Sequence, residues 1–139
     1  MRRRLQNIGP ERLSLARLQR EYAARGFDDL DVCTEVTTKY MFRLEDLPSV
    51  VAALDMPAGF RTETGVFSGE EGVLLLLRRF RTTDSLDSLT FETGRGAADI
   101  SSAVQYVAEH IERRFPWLLD HRSFSSWAWA AIRGRGKRG

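Results

Sequence analysis

The sequence lacks the multiple cysteines, the clustered metal ligands and the long apolar run from which disulfide frameworks, metal sites and membrane spans are built. It has one cysteine, Cys33, so no intramolecular disulfide can form, and a reducing intracellular location is expected. The two histidines, His110 and His121, have no cysteine or carboxylate at metal-ligand spacing, which predicts neither a metal site nor a cofactor. The apolar run at residues 73–77 falls far short of the roughly 20 residues that a membrane-spanning helix needs. We therefore expect no membrane association.

Catalytic patterns are missing as well. The serines within residues 123–126 have no base at an identifiable geometry, so a helix cap explains them better. The Gly-Arg-Gly at residues 94–96 follows no predicted strand and lacks the Lys-Ser/Thr of a phosphate-binding loop. The sequence therefore predicts a protein that is not an enzyme.

Positive charge is concentrated at the two ends of the chain. The formal net charge is only +2, but residues 1–25 hold seven arginines against two glutamates. Residues 133–139 hold four basic side chains and no acidic one, whereas residues 27–55 hold seven acidic and two basic side chains. Basic arms around a near-neutral body suit contact with the phosphates of nucleic acid, although terminal arginines can also simply keep chain ends solvated.

The periodicity of apolar residues predicts an all-α fold. Helical segments are predicted at residues 14–25, 42–55, 85–92, 97–114 and 123–133, and a further helix begins at Ser68. Residues 27–40 have weak periodicity and residues 57–66 contain two glycines, so both are expected to be irregular. The expected organisation is an extension with one helix at residues 1–41, a small domain of about five helices at residues 42–133, and a flexible basic tail at residues 134–139.

The middle of the chain has the order of elements typical of a helix-turn-helix. Ser68 and Glu71 form a capping box, and the helix that follows is apolar nearly all round, which predicts a buried position. Gly94 ends a short helix and can adopt the left-handed conformation that a tight turn requires. The next helix, at residues 97–114, would then be the one that lies in a DNA major groove. A plain helical hairpin in a bundle has the same pattern and remains an alternative.

The faces of these helices define the expected core and surface. In the short helix, the side chains expected to turn inward are Leu86, Leu89 and Phe91. In the long helix, the expected buried face consists of Ile100, Val104, Val107 and Ile111, and the expected exposed face of Ala98, Asp99, Ser102, Gln105 and Tyr106. Asp99 is expected to cap the helix and not to face DNA, because phosphates would repel its carboxylate.

Eight residues are candidate DNA contacts: Arg95, Ala98, Ser101, Ser102, Gln105, Arg78, Arg79 and Arg81. The small side chains allow close approach, Gln105 has the amide that pairs with adenine, and Arg95 can bind a phosphate or a guanine. The other three arginines follow the apolar helix, where they favour its dipole and can also reach phosphate. Double-stranded DNA is the expected partner.

Several short motifs, taken in order, resemble the N-terminal region of PIF/Harbinger-type DDE transposases and their derived nuclease-like proteins. The motifs are FRLEDL at residues 42–47, LDMP at 54–57, SGEE at 68–71, LLLLRR at 74–79, ETGRG at 92–96 and WAWAAIRG at 127–134. The resemblance covers about residues 42–134. In place of ETGRG the family has a phrase like F-G-R-S, whose phenylalanine and serine are absent here.

The resemblance implies a helical, helix-turn-helix-like DNA-binding region that precedes an RNase-H-like nuclease domain. No residue of this sequence matches a DDE metal ligand, so magnesium-dependent chemistry does not carry over. The chain is therefore expected to be catalytically inert by itself, and nuclear.

A second interpretation is a protein-interaction or assembly domain. Trp117, Trp127 and Trp129 near the C-terminus would then pack against a nuclease domain, a partner subunit or another copy of the chain. A third is a decayed open reading frame with no selected activity.

Overall fold

The computed structural model describes residues 11–26, 29–82 and 85–116. These residues fold mainly into α-helices, which confirms the predicted fold class. The helices are α1 (Leu15–Arg25), α2 (Leu30–Tyr40), α3 (Leu47–Leu54), α4 (Gly69–Phe80), α5 (Leu86–Thr93) and α6 (Ala97–Arg114). A 3-10 turn, Leu44–Asp46, precedes α3, and two short strands, β1 (Gly59–Arg61) and β2 (Val66–Ser68), form an antiparallel hairpin. The helix predicted at residues 123–133 lies outside the described residues.

The central element is α4, as its apolar sequence predicts. Every residue from Val73 to Arg78 is buried, and the helix packs mainly against α6. Its N-terminus is capped by Ser68, whose hydroxyl accepts a hydrogen bond from the Glu71 N–H at 3.0 Å. The carboxylate of Glu71 does not complete a capping box, because it binds Arg95 instead. Only the Ser68 half of the predicted motif is therefore confirmed.

Helix α2 corrects the prediction of irregular structure at residues 27–40. Its threonines and valines have modest helix propensity, which weakens the local signal. However, Val32, Val36 and Tyr40 recur every four residues and are all buried against the rest of the core. Asp29 caps the helix by accepting hydrogen bonds from two backbone N–H groups. Tertiary packing of one apolar face thus decides the conformation of this segment.

The β-hairpin corrects the prediction of a loop at residues 57–66. Phe60 and Phe67 face each other across the two strands and point inward, while their neighbours in the strands are exposed. The Phe60 ring stacks on Phe67 at 5.3 Å and on Tyr106 of α6 at 4.1 Å between centroids. Tyr106, expected to face solvent, is therefore half-buried beneath the hairpin. Three-residue strands give too short an alternation to be recognised in the sequence.

Helices α5 and α6 begin and end close to their predicted bounds. Gly94 has a φ of 71°, the left-handed conformation expected for the turn between them. The buried face of α6 consists of Ile100, Ala103, Val107, His110 and Ile111, with Val104 only partly buried. On α5, Leu89 is buried as expected, but Phe91 is 79% exposed and not turned inward.

Candidate nucleic-acid interface

The N-terminal half of α6 exposes a row of small and uncharged side chains. Ala98, Ser101 and Gln105 are all exposed, as the sequence predicts, and they follow one another at helical spacing along one face. Residues 98–105 are eight residues, whose seven steps along the axis amount to roughly 10 Å of helix. The Gln105 amide donates a hydrogen bond to Glu109, one turn further along, at 3.2 Å. This row is where another molecule can approach the helix closely.

Ser102 lies at the flank of this row and is covered by the tip of the hairpin. Its hydroxyl is 2.9 Å from the Thr62 hydroxyl and 2.8 Å from the Thr64 hydroxyl, and it donates to the Asp99 carbonyl at 3.1 Å. The two threonine hydroxyls are 3.1 Å apart. Ser102 was expected on the exposed face, but its hydroxyl joins the hairpin to α6 and is not free for a base edge.

Arg95 is the candidate whose surroundings differ most from expectation. Its guanidinium binds the Glu71 carboxylate through two hydrogen bonds of 2.8 and 2.9 Å, and it donates a third to the Val66 carbonyl. It also lies 4.0 Å from the centroid of the Phe67 ring. The hydrogen bonds that Arg95 donates to Glu71 raise the pKa of Arg95. The sequence predicts that this side chain binds phosphate or guanine. In the structure it instead links α4 and the hairpin to the turn before α6 through these contacts.

Asp99 is turned towards Arg95 and not towards the exposed row. Its carboxylate is 3.8 Å from the Arg95 guanidinium, and no side chain caps the N-terminus of α6, so the expectation that Asp99 is the cap is wrong. The ion pair offsets a negative charge that would otherwise oppose the approach of phosphate.

The three arginines of residues 78–81 do not form a common surface. Arg78 is buried and binds the Glu92 carboxylate through two hydrogen bonds of 2.9 and 3.0 Å. Arg79 is half-buried, and exposed Arg81 donates to the Thr38 carbonyl of α2 at 3.3 Å. Because Arg78 and Arg95 are both buried in ion pairs, the four arginines do not make a continuous basic face on the part of the chain that the structure describes.

The described body is mildly acidic. It holds 13 lysine and arginine side chains against 16 aspartates and glutamates, a formal net charge of −3. The positive excess of the chain therefore resides outside it, and all eight of the remaining basic side chains lie in residues 1–10 and 117–139. Trp117, Trp127 and Trp129 also fall outside the described residues. Attraction to phosphate would have to come mainly from the terminal segments.

Sequence reasoning missed two parts of this site, the hairpin and the role of Glu71. The pairing of Phe60 with Phe67 across a short loop is the only sequence signal for the hairpin. The capping-box pattern predicts that the Glu71 side chain binds the backbone at the start of its own helix. It therefore gives no sign that the carboxylate binds Arg95.

Comparisons with known proteins give no further guidance. No family model, no curated protein and no solved structure matches the chain. Within the described residues, no helix has the length and apolar character to cross a membrane, and no group of three or more His, Cys, Asp or Glu side chains could hold a metal ion.

Proposed function

We propose that this protein is a DNA-binding module that presents the N-terminal half of α6 to the major groove. The observation that carries the proposal is the exposed row of Ala98, Ser101 and Gln105 directly after a tight turn between helices. An α-helix fits the major groove, and small side chains let its backbone approach the base edges. The resemblance of the motif order to that of Harbinger-type transposases favours the same function.

The electrostatics of α6 are compatible with this orientation. No charged residue lies in the row, and the one carboxylate of the first turn, Asp99, is paired with Arg95. Gln105 carries the amide that can donate to and accept from adenine. The exposed carboxylates of α6, Glu109 and Glu112, lie in its C-terminal half. In a helix-turn-helix arrangement it is the N-terminal residues of the second helix that contact bases.

Affinity in this proposal comes mainly from the basic ends of the chain. The acidic body supplies no general attraction to DNA, whereas the terminal segments carry clusters of arginine and lysine. Contacts between such side chains and phosphates release counterions, so the affinity depends steeply on salt. We therefore expect sequence-independent attraction from the termini and positioning by α6.

The test is fluorescence anisotropy of the full chain with a short labelled duplex. We expect saturable binding at about 50 mM salt that weakens at least about tenfold at 200 mM salt. The duplex should remain uncut with added magnesium, because the proposal assigns no catalysis to this chain. Absence of salt-sensitive binding would contradict the proposed function.

A pair of matched variants tests whether α6 faces the DNA. Ser101→Asp places a negative charge in the exposed row, and we expect about tenfold or more weaker binding from repulsion by phosphate. Ser49→Asp is the control, because Ser49 is also an exposed serine near the start of a helix, in α3. Equal effects of the two variants would show that α6 has no special place in the complex.

A second candidate function is assembly with a protein, and it is supported by exposed apolar residues. Phe91 on α5 is 79% exposed and Leu30 at the start of α2 is 77% exposed. Trp117, Trp127 and Trp129 would add to such an interface. Analytical ultracentrifugation of the wild type and of Phe91→Ser tests this function: concentration-dependent self-association that the variant weakens would favour assembly, and a monomer throughout would oppose self-assembly.

A further inference from the structure

We propose that the tip of the β-hairpin is a second part of the DNA interface and contacts the sugar-phosphate backbone beside α6. The hairpin tip is defined here as residues 62–65, with Arg61 at its base. This inference rests on the proposed function, because it assumes that α6 lies in the major groove.

The hairpin tip has a fixed place on the flank of α6. Thr62 and Thr64 both contact the Ser102 hydroxyl, within 2.9 Å. A Cβ atom added to Gly65 would lie 3.5 Å from both Arg95 and Asp99, so the tip reaches the first turn of the helix. Ser102 follows Ser101 by one residue, which places the tip roughly a quarter turn around the helix from the exposed row.

The dimensions of DNA exclude the hairpin from a groove that α6 already occupies. The major groove is about 12 Å wide, and a helix with its side chains is about 10–12 Å across. A hairpin held against the side of the helix therefore cannot enter the groove with it. The tip must lie at the groove edge, where the phosphates of one strand run.

The residues at the tip carry groups that bind phosphate, together with one that opposes it. Arg61 is exposed on the outer face of β1, and the Thr64 hydroxyl is exposed at the tip. Arginine and threonine are frequent donors to phosphate oxygens. Ser102 donates to the Asp99 carbonyl and Thr62 to the Gly65 carbonyl, so the exposed Thr64 hydroxyl is the one of the three best placed to turn its hydrogen to a phosphate. Glu63 is exposed between the two threonines and should repel it.

This mixture of charges gives a test in which two substitutions act in opposite directions. We measure binding to two duplexes of unrelated sequence as a function of salt. Arg61→Gln should weaken binding about three- to tenfold at low salt and lower the salt slope by about one. Glu63→Gln should strengthen binding about two- to fivefold through lost repulsion. Both effects should be the same on the two duplexes, because phosphate carries no sequence information.

The control is the same pair of changes elsewhere on the surface. Arg43 and Glu45 are exposed and form an ion pair with each other before α3, so Arg43→Gln and Glu45→Gln alter net charge identically. We expect less than a twofold change in affinity for each, and unchanged thermal midpoints for all four variants. Hairpin variants that behave like these controls, while the wild type binds DNA, would overturn the inference alone. A wild type without salt-sensitive binding would instead overturn the proposed function.

Discussion

The two ends of α4 are fixed by the same kind of ion pair in different surroundings. Near its start Glu71 binds Arg95, and near its end Arg78 binds Glu92, each through two parallel hydrogen bonds. Glu71 and Arg78 are seven residues apart, so they lie on one face of the helix. Glu92, the partner of Arg78, lies at the end of α5, and Arg95, the partner of Glu71, lies in the turn after it. The helix α4 thus supplies the acidic member of one pair and the basic member of the other. The two pairs together set how α5 and α6 join the central helix.

The Glu71–Arg95 pair at the start of α4 is closed to solvent. The Arg78–Glu92 pair at its end is part of a network of further polar side chains. The side chains of Glu71 and Arg95 are only 4% and 8% exposed. Glu92 is 24% exposed, accepts a hydrogen bond from the Tyr40 hydroxyl and lies 3.9 Å from Lys39. Burial acts to raise the pKa of Glu92, but the hydrogen bonds and charge of Arg78, the charge of Lys39 and the hydrogen bond from Tyr40 together leave that pKa lowered. We therefore expect removal of the arginine to lower the free energy of unfolding by different amounts at the two ends of α4.

The largest expected effect is the loss of the closed pair. Arg95→Ala leaves the Glu71 carboxylate buried without its charged partner, which should lower the free energy of unfolding by about 3–5 kcal/mol. Urea denaturation followed by circular dichroism measures this change. Arg95→Lys keeps the charge but cannot form two parallel hydrogen bonds, so we expect an intermediate loss.

A double-mutant cycle separates the pair from the packing around it. Glu71→Ala with Arg95→Ala should destabilise less than the sum of the two single changes, because neither charge is then left unpaired. An Arg95→Ala variant as stable as the wild type would show that Arg95 is not held in this pair. Arg95 would then again be a candidate for contact with DNA.

Close packing at the same end of α4 predicts the next largest effect. A Cβ atom added to Gly72 would lie 2.7 Å from the Phe60 ring and 2.9 Å from Val107, where hairpin, α4 and α6 meet. Gly72→Ala should therefore lower the free energy of unfolding by up to about 3 kcal/mol through overpacking. Gly96→Ala is the matched control, since nothing lies within 4 Å of the added atom there. Equal unfolding midpoints for the two variants would refute close packing of the hairpin on α4.

The networked pair should tolerate the loss of its arginine better. After Arg78→Ala, Glu92 retains the Tyr40 hydroxyl, Lys39 and some access to water. We expect a loss of about 1–2 kcal/mol, since a partly solvated carboxylate does not carry the full penalty of a buried unpaired charge. The comparison of the two ends fails if Arg78→Ala, measured by the same urea experiment, costs as much as Arg95→Ala.

The contrast between the two ends also shows what the sequence could and could not predict. Helices α4, α5 and α6 were predictable, because strong apolar periodicity, the Ser68 cap and the Gly94 turn all agree. Helix α2 was not, because its β-branched residues obscure a buried face that only tertiary packing reveals. Three-residue strands are likewise below the length at which alternation is informative.

The candidate site was predictable in part. Exposure of Ala98, Ser101 and Gln105 follows from helical periodicity alone. The burial of Arg95 does not, because it depends on Glu71, which is distant in sequence and close only after α4 and α6 pack together. A periodic pattern is enough to identify a surface position. Predicting an ion pair between two helices also requires knowing which residues of the two face each other.

The smallest expected effect is a pH dependence of stability that arises from Glu35 of α2, whose carboxylate lies 3.3 Å from Lys39 and so adjoins the network around Glu92. Hydrogen bonding from Arg25, with further contributions from Lys39 and Tyr22, lowers the pKa of Glu35 to about 2 although burial acts in the opposite direction. A carboxyl whose pKa is lower in the folded state stabilises the fold above its unfolded value of about 4.5, and this contribution is lost as the pH falls towards 2. Because Glu35 is partly exposed to solvent, we expect a contribution of at most about 1 kcal/mol.

Urea midpoints measured between about pH 6 and about pH 3 test this dependence. That range begins above the pKa of a glutamate in the unfolded chain and ends well below it. The wild type should lose stability as the pH falls, and Glu35→Gln should flatten that decline because the glutamine cannot be protonated. A Glu35→Gln variant with an unchanged slope would remove Glu35 from the network. The network would then reduce to the Arg78–Glu92 pair with Tyr40 and Lys39 around it.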